Sequence, residues 1–255
     1  MGVQFKPLGL TTPHLGLLWK SYRSEDLLQV EEHPPLEHSI ERFGVVKRPY
    51  DVFLKISRRE LTNRVWFHNE TGSELIQVQA DRFIFNWRKV HEQDCYPRYG
   101  HVEEKFFKAL ETFRNFLIEH RIGETEFTQC EVTYVNHIFP VEGVWSYHGQ
   151  AGRAVTLISS NSHDFLPDPE DVRAVARFLI LGPHDEKLGR LHIKLEPRFS
   201  TENLPLLHLQ LMARGAPLGE DLNGVRSFFR LGREWIVKGF LDVTSPAMHN
   251  VWGRR

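Results

Sequence analysis

The residues of this chain best equipped for chemistry sit in one short stretch, LIQVQADRFIFNWRKVHEQDCYPRY, from Leu75 to Tyr99. Phe83, Phe85 and Trp87 alternate there with Arg82, Ile84, Asn86 and Arg88, the period of a half-buried strand. Asn86, Arg88, Tyr96, Arg98 and Tyr99 together could make an anion-binding surface. Arginine offers a planar fork to phosphate or carboxylate, and tyrosine a hydroxyl beside a stacking face. The bland alternative is a strand's solvated face with aromatics covering its edge. A second group lies in EVTYVNHI, where Tyr134 and Asn136 share one side of a strand and His137 faces the other way. Tyr134 and Asn136 could line the same groove as Arg88; they could equally be buried polar groups satisfied by main chain.

Catalytic and metal signatures are sparse by comparison. The 14 histidines include His91, His101, His163 and His184 in loop-like stretches, but none has the spacing or adjoining carboxylates of a zinc site. Cys95 and Cys130 stand in no metal or redox motif. Glu103 and Glu104 open a helix, where the dipole explains them. There is no glycine-rich phosphate loop and no G-x-S-x-G elbow. Arg226, Arg230 and Arg233 lie near one helical stripe with Phe228 and Trp235 nearby, either a solvated face or a nucleic-acid contact. The residues therefore point to no catalytic group, no metal and no cofactor, and lean away from an enzyme.

Composition sets wide bounds. The chain has 255 residues with 41% hydrophobic and 25% charged, enough for a sizeable core. Its 32 basic and 33 acidic residues nearly cancel, which argues against a protein that mainly coats nucleic acid or an acidic membrane. No apolar run approaches the roughly 18 residues of a membrane span, and the expected location is the cytoplasm.

The elements that must position these groups follow from periodicity. Leu15, Leu17 and Trp19 alternate and predict a strand over His14–Arg23. A short helix should start near Ser24 and break at Pro34-Pro35, followed by a short helix or strand over Leu36–Phe43 and an element near Val52–Ile56. From Arg64 to Arg88 three runs form an antiparallel meander, turning at Gly72 and at Ala80-Asp81. Val102, Phe106, Leu110, Phe113, Leu117 and Ile118 recur at helical spacing, with Gly123 just beyond the helix. A strand is expected over Phe127–Pro140 and another in RAVTLISS. Three more span Val172–Gly182, Gly189–Phe199 and Leu204–Gly215, before a helix DLNGVRSFFRLGREWIVKGFL. In that helix Gly224 and Gly232 should each lose about 1 kcal/mol against alanine. Phe83, Phe85, Phe106, Leu110, Phe113, Leu117, Leu179, Leu195, Leu209, Phe229 and Ile236 are the expected core. Ser245 and Pro246 should cap a final helical turn that docks Trp252, with Val251 or Met248 beside it.

Each half thus reads strand, connector, three-strand meander and long helix, the pattern of a tandem duplication. The predicted fold is α+β: two tandem modules, residues 1–125 and 126–255, each an antiparallel sheet with a long amphipathic helix on one face, the second ending in a C-terminal latch.

PPLEHSI, VQADRFIFNWRK, YPRY, EVTYVNHI and HNVWGR together resemble a sporadically distributed bacterial family of conserved hypothetical proteins of about this length. The likeness covers most of the chain from Pro34 onward. Members carry their Pro-Pro-Leu near the very start, whereas 33 residues precede it here. The resemblance carries over no activity; the patchy distribution it implies suggests accessory systems of the toxin–antitoxin or phage-defence kind. On these grounds the expected function is non-enzymatic binding of a partner protein encoded nearby, or of an anionic ligand, in a groove between the modules. The alternatives are an enzyme acting on a phosphorylated or nucleotide substrate, with Arg88, Arg98, Tyr99, Asn136 and a histidine base, and a nucleic-acid-binding saddle. A homodimer through exposed strand edges is compatible with the sequence.

Overall fold

The computed structural model describes residues 1–23, 26–43, 64–91, 93–158 and 165–253. It divides the chain into two compact units. The first comprises Met1–Cys130 with Ala216–Arg226, and the second Glu131–Gly215 with Ser227–Arg255. Among the described residues are nine strands and five α-helices, so the fold is mixed α and β with antiparallel strand pairing.

In the first unit the hydrogen-bonded order is β2 (Gln29–His33), β3 (Arg64–His68), β4 (Glu74–Gln79), β5 (Arg82–Trp87), β1 (Gly2–Phe5), then the start of β6 (Phe127–Ile138). The meander expected from Arg64 onward is present, with Gly72 in the left-handed region at φ 70°. Its register puts Val65, Val78, Phe83 and Val3 in one row of a single face. Helix α2 (Tyr99–Glu119) packs on that face through Phe106, Leu110, Phe113 and Leu117, all buried. The Phe83 ring stacks on Phe113 at 5.4 Å and meets Phe106 edge-on at 5.8 Å. Ile118, expected with this stripe, is 63% exposed.

The segment read as a strand at His14–Arg23 is instead helix α1 (Thr12–Tyr22). Leu15, Leu18 and Tyr22 are buried at helical spacing while Leu17 faces solvent. Pro13 in the first turn and the Thr11 amide, donating to His14 Nδ1 at 3.2 Å, favour that start. Packing completes the choice: Tyr22 donates its hydroxyl to the Ala109 carbonyl at 2.7 Å. Within the stretch expected as a short helix, residues 26–33 hold a turn and β2, and residues 34–43 have no regular structure. Ser24 and the element near Val52–Ile56 lie outside the described residues.

The second unit has the order β6, β9 (Pro205–Gly215), β8 (Lys187–Phe199), β7 (Ala174–Leu181). Its three-strand meander matches the expectation, with Leu195 opposite Leu209 and both buried. Helix α4 (Asp221–Val243) buries Phe228, Phe229 and Ile236. Leu179 is an error of register in the expected core: it is 38% exposed, and its neighbour Ile180 is the buried one. The strand expected in RAVTLISS begins as the short helix α3 (Ala151–Ala154), after which Val155 makes a single bridge to Thr244.

The tail forms α5 (Pro246–Val251), with Ser245 Oγ accepting from the Met248 amide at 3.3 Å. The anchor differs from the expected one. Met248 is buried, whereas Trp252 lies on the Phe240 ring and stays 42% exposed, and Val251 is 50% exposed.

Candidate functional site

The seven residues singled out in the sequence do not form one cluster within either unit. Asn86, Arg88, Tyr96, Arg98 and Tyr99 belong to the first unit, Tyr134 and Asn136 to the second. Arg88 closes the β3–β4 hairpin: its Nε donates to the Gly72 carbonyl at 2.7 Å and its amide to the Ser73 carbonyl at 2.9 Å. Arg98 is the N-cap of α2, its carbonyl accepting from the amides of His101 and Val102. Tyr96 meets the Trp87 ring edge-on at 5.4 Å, and the Tyr99 hydroxyl lies 3.5 Å from Glu103 Oε1. These positions support turns and helix starts. Glu103, read as a partner of the helix dipole, is buried, with Arg226 Nη1 3.7 Å from its carboxylate. Arg226 also lies over the Phe107 ring at 3.9 Å, and Phe228, suggested as a nucleic-acid contact, is buried core.

Asn86 does sit on the sheet face opposite α2, in a polar row. Arg64 donates to Gln77 Oε1 at 3.0 Å, and Gln77 Nε2 to Asn86 Oδ1 at 2.7 Å. Beside them His33 stacks on Trp66 at 3.8 Å, with the Arg64 guanidinium 5.3 Å from the same ring. Glu31 sits between His33 and His68, and its hydrogen bond from His33, then that from His68, holds its carboxyl below the usual range.

A dense array of functional groups lies on the second unit's sheet, on the face away from α4. Strand pairing sets Arg177 opposite His192 and His192 opposite Met212, Arg190 opposite Arg214, and Lys194 opposite Gln210. The alternate positions Leu191, Ile193, Leu195, Leu209, Leu211 and Ala213 are buried on the helix side. The polar face thus carries Arg177, Arg190, Lys194, Arg198 and Arg214 against the carboxylates Glu131 and Glu196. Each carboxylate is already committed. Arg214 reaches Glu131 Oε2 with Nε at 3.0 Å and Nη2 at 2.8 Å. Lys194 and Arg198 flank Glu196 at 2.7 and 2.9 Å, and their hydrogen bonds hold its carboxyl down to about 2.

His192 lies amid these cations. Burial, then the charges of Arg214, Arg190 and Arg177, push its imidazolium pKa down to about 4, so the ring is neutral at pH 7. At the far end His208 Nδ1 is 3.3 Å from His137 Nε2. Burial lowers both pKa values, with Arg198 as the next cause in each. A face that gathers five cationic side chains around a neutral His192 suits binding of an anionic surface. Among the described residues of β7, β8 and β9 it holds no nucleophile paired with a base, and no ring of Phe, Tyr or Trp on which a nucleobase could stack.

This face was legible in part. In GRLHIKLEPRF, the residues Arg190, His192, Lys194, Glu196 and Arg198 alternate with apolar ones. Its partners on β6, β7 and β9 become neighbours only through the register. Comparison with protein-family models, with curated proteins and with solved structures returned no match. Among the described residues no group of three His, Cys, Asp or Glu side chains is placed to hold a metal ion, and no helix is long and apolar enough to cross a membrane.

Proposed function

We propose that this protein is a non-enzymatic binding protein that recognises an acidic partner protein with the polar sheet face of its second unit. The observation that carries the reading is the concentration of Arg177, Arg190, Lys194, Arg198 and Arg214 on one sheet face of a chain whose net charge is −1. The lack of stacking rings on that face favours a carboxylate-rich protein surface over nucleic acid. In the same reading the two units are tandem sheet-and-helix modules, and the chain belongs with the sporadically distributed bacterial family it resembles. Its partner is then encoded beside it, in a toxin–antitoxin or phage-defence type of system.

The test uses two fluorescent probes of equal charge, a poly-glutamate peptide and a single-stranded oligonucleotide, titrated in low salt. The peptide should bind, its affinity should fall steeply with added salt, and the double variant R177E/K194E should weaken it by about tenfold or more. Tighter binding of the oligonucleotide would replace this reading with the nucleic-acid one. No binding of either probe at low salt would end it.

A further inference from the structure

The segment holding the PPLEHSI motif lies across the first unit's sheet, on the face away from α2, and among the described residues its hydrogen bonds to that sheet are made almost wholly by its main chain. Gln79 on β4 accepts from the Leu36 amide at 2.9 Å and donates to the Leu36 carbonyl at 3.0 Å. Gln4 on β1 treats Ser39 the same way, donating to its carbonyl at 2.9 Å and accepting from its amide at 3.2 Å. Gln129 on β6 accepts from the Glu41 amide at 2.7 Å and donates to the Ser39 carbonyl at 2.8 Å. From β5 between them, Arg82 donates to the Glu37 carbonyl at 2.8 Å. The three glutamines are at most 3% exposed. Gln79 Nε2 also donates to Asp81 Oδ1 at 2.6 Å, which fixes the direction of that amide.

The spacing has a geometric reason. Neighbouring strands lie about 4.8 Å apart and an extended chain advances about 3.4 Å per residue. Three residues, Leu36 to Ser39, therefore match the two strand steps from β4 to β1. A primary amide copies the donor and acceptor of a peptide group, so the track reads backbone. Among the described residues, the side-chain hydrogen bond from this segment to the track is that of His38, Nδ1 lying 2.7 Å from Asp81 Oδ2. Apolar burial adds little to this hold: within residues 36–41 Leu36 is half-buried and Ile40 is 49% exposed.

We propose that Gln79, Gln4 and Gln129 form a binding track for the main chain of an extended polypeptide. Residues 36–41 fill it as an intramolecular ligand. An extended segment of a partner protein, with an imidazole or cation at the place of His38, takes the same track by displacing them. The proposal is independent of the cationic face of the second unit.

The experiment weakens the internal ligand in the full chain with Ser39→Pro, which removes the amide that Gln4 accepts. A fluorescent peptide of residues 34–43 is then titrated by anisotropy, after circular dichroism has shown a folded variant. The variant should bind at least about tenfold tighter than wild type, whose own segment competes at an effective millimolar concentration. N-methylation at Ser39 of the peptide should abolish binding, while alanine at Glu37 or Ile40 changes it less than about threefold. No binding to the folded variant, or equal binding of the N-methylated peptide, would overturn the proposal. Hydrogen exchange on wild type decides the matter should the variant not fold. Excess peptide, at about millimolar concentration or above, should strip protection from the chain's own Leu36, Ser39 and Glu41 amides while β4 and β5 keep theirs. Unchanged protection would refute displacement.

Discussion

Gly224→Ala sets local propensity against tertiary packing. In a helix interior alanine is favoured over glycine by about 1 kcal/mol, so propensity alone predicts a more stable protein. The structure predicts the reverse. A Cβ on Gly224 would stand 2.1 Å from the Gly219 carbonyl oxygen and 2.5 Å from its carbon, both backbone atoms. Relief needs a shift of about 1 Å or more, since C···O contacts sit near 3.3 Å. The loop cannot yield freely, because the Leu218 amide donates to Gly224 and the Gly224 amide to Glu220, each at 3.0 Å. Overpacking of this kind costs about 1–3 kcal/mol, and loosening one hydrogen bond about 1 kcal/mol more. Set against the gain of about 1 kcal/mol, the net loss is about 2 kcal/mol, or a fall in Tm of about 4–8 °C for a chain of this size. Urea unfolding at constant m-value measures the difference. Gly239→Ala is the control, since its Cβ would press at 2.8 Å only on Leu191 Cδ2, the tip of a flexible side chain, and should change stability by less than about 1 kcal/mol. A Gly224→Ala protein as stable as wild type or more so would refute the argument.

At the tail, Met248→Ala should destabilise by about 2–3 kcal/mol, because that side chain is buried, while Trp252→Ala should cost under about 1 kcal/mol; the opposite order in thermal melts would make Trp252 the anchor after all. Stability should also fall in mild acid. His192 has a folded pKa of about 4 against an ordinary 6.5, so the unfolded chain takes up the proton first. The stabilisation is complete above pH 6.5 and is lost as pH falls toward 4, with His137 and His208 acting in the same direction. After discounting for the ring's solvent access the His192 share is about 1 kcal/mol. Urea midpoints at pH 7 and 4.5 measure it, and a His192→Gln protein with an undiminished pH dependence would count against the assignment.

Hydrophobic periodicity, legible in any short window of the chain, carries part of this fold. The alternations in RVWFH, ELIQVQ and RFIFNW place three strands and choose their buried faces, and the stripe of Phe106, Leu110, Phe113 and Leu117 places α2. The Ser245-Pro246 cap was equally local. Period alone is ambiguous where two patterns overlay. Leu15, Leu17 and Trp19 alternate, yet Leu15, Leu18 and Tyr22 fit a helix, and only a surface on which Tyr22 can be buried decides between them. The same limit governs the site. Asn86, Arg88, Arg98 and Tyr99 look like a cluster because they are close in sequence, but the backbone uses Arg88 and Arg98 to finish a hairpin and start a helix. Arg177, Arg190, His192 and Arg214 stand on three different strands, and Gln4, Gln79 and Gln129 on three others. A strand's period says which of its residues share a face. Strand order and register, set by distant burial on the opposite side, say which faces meet, and no window of sequence contains that information.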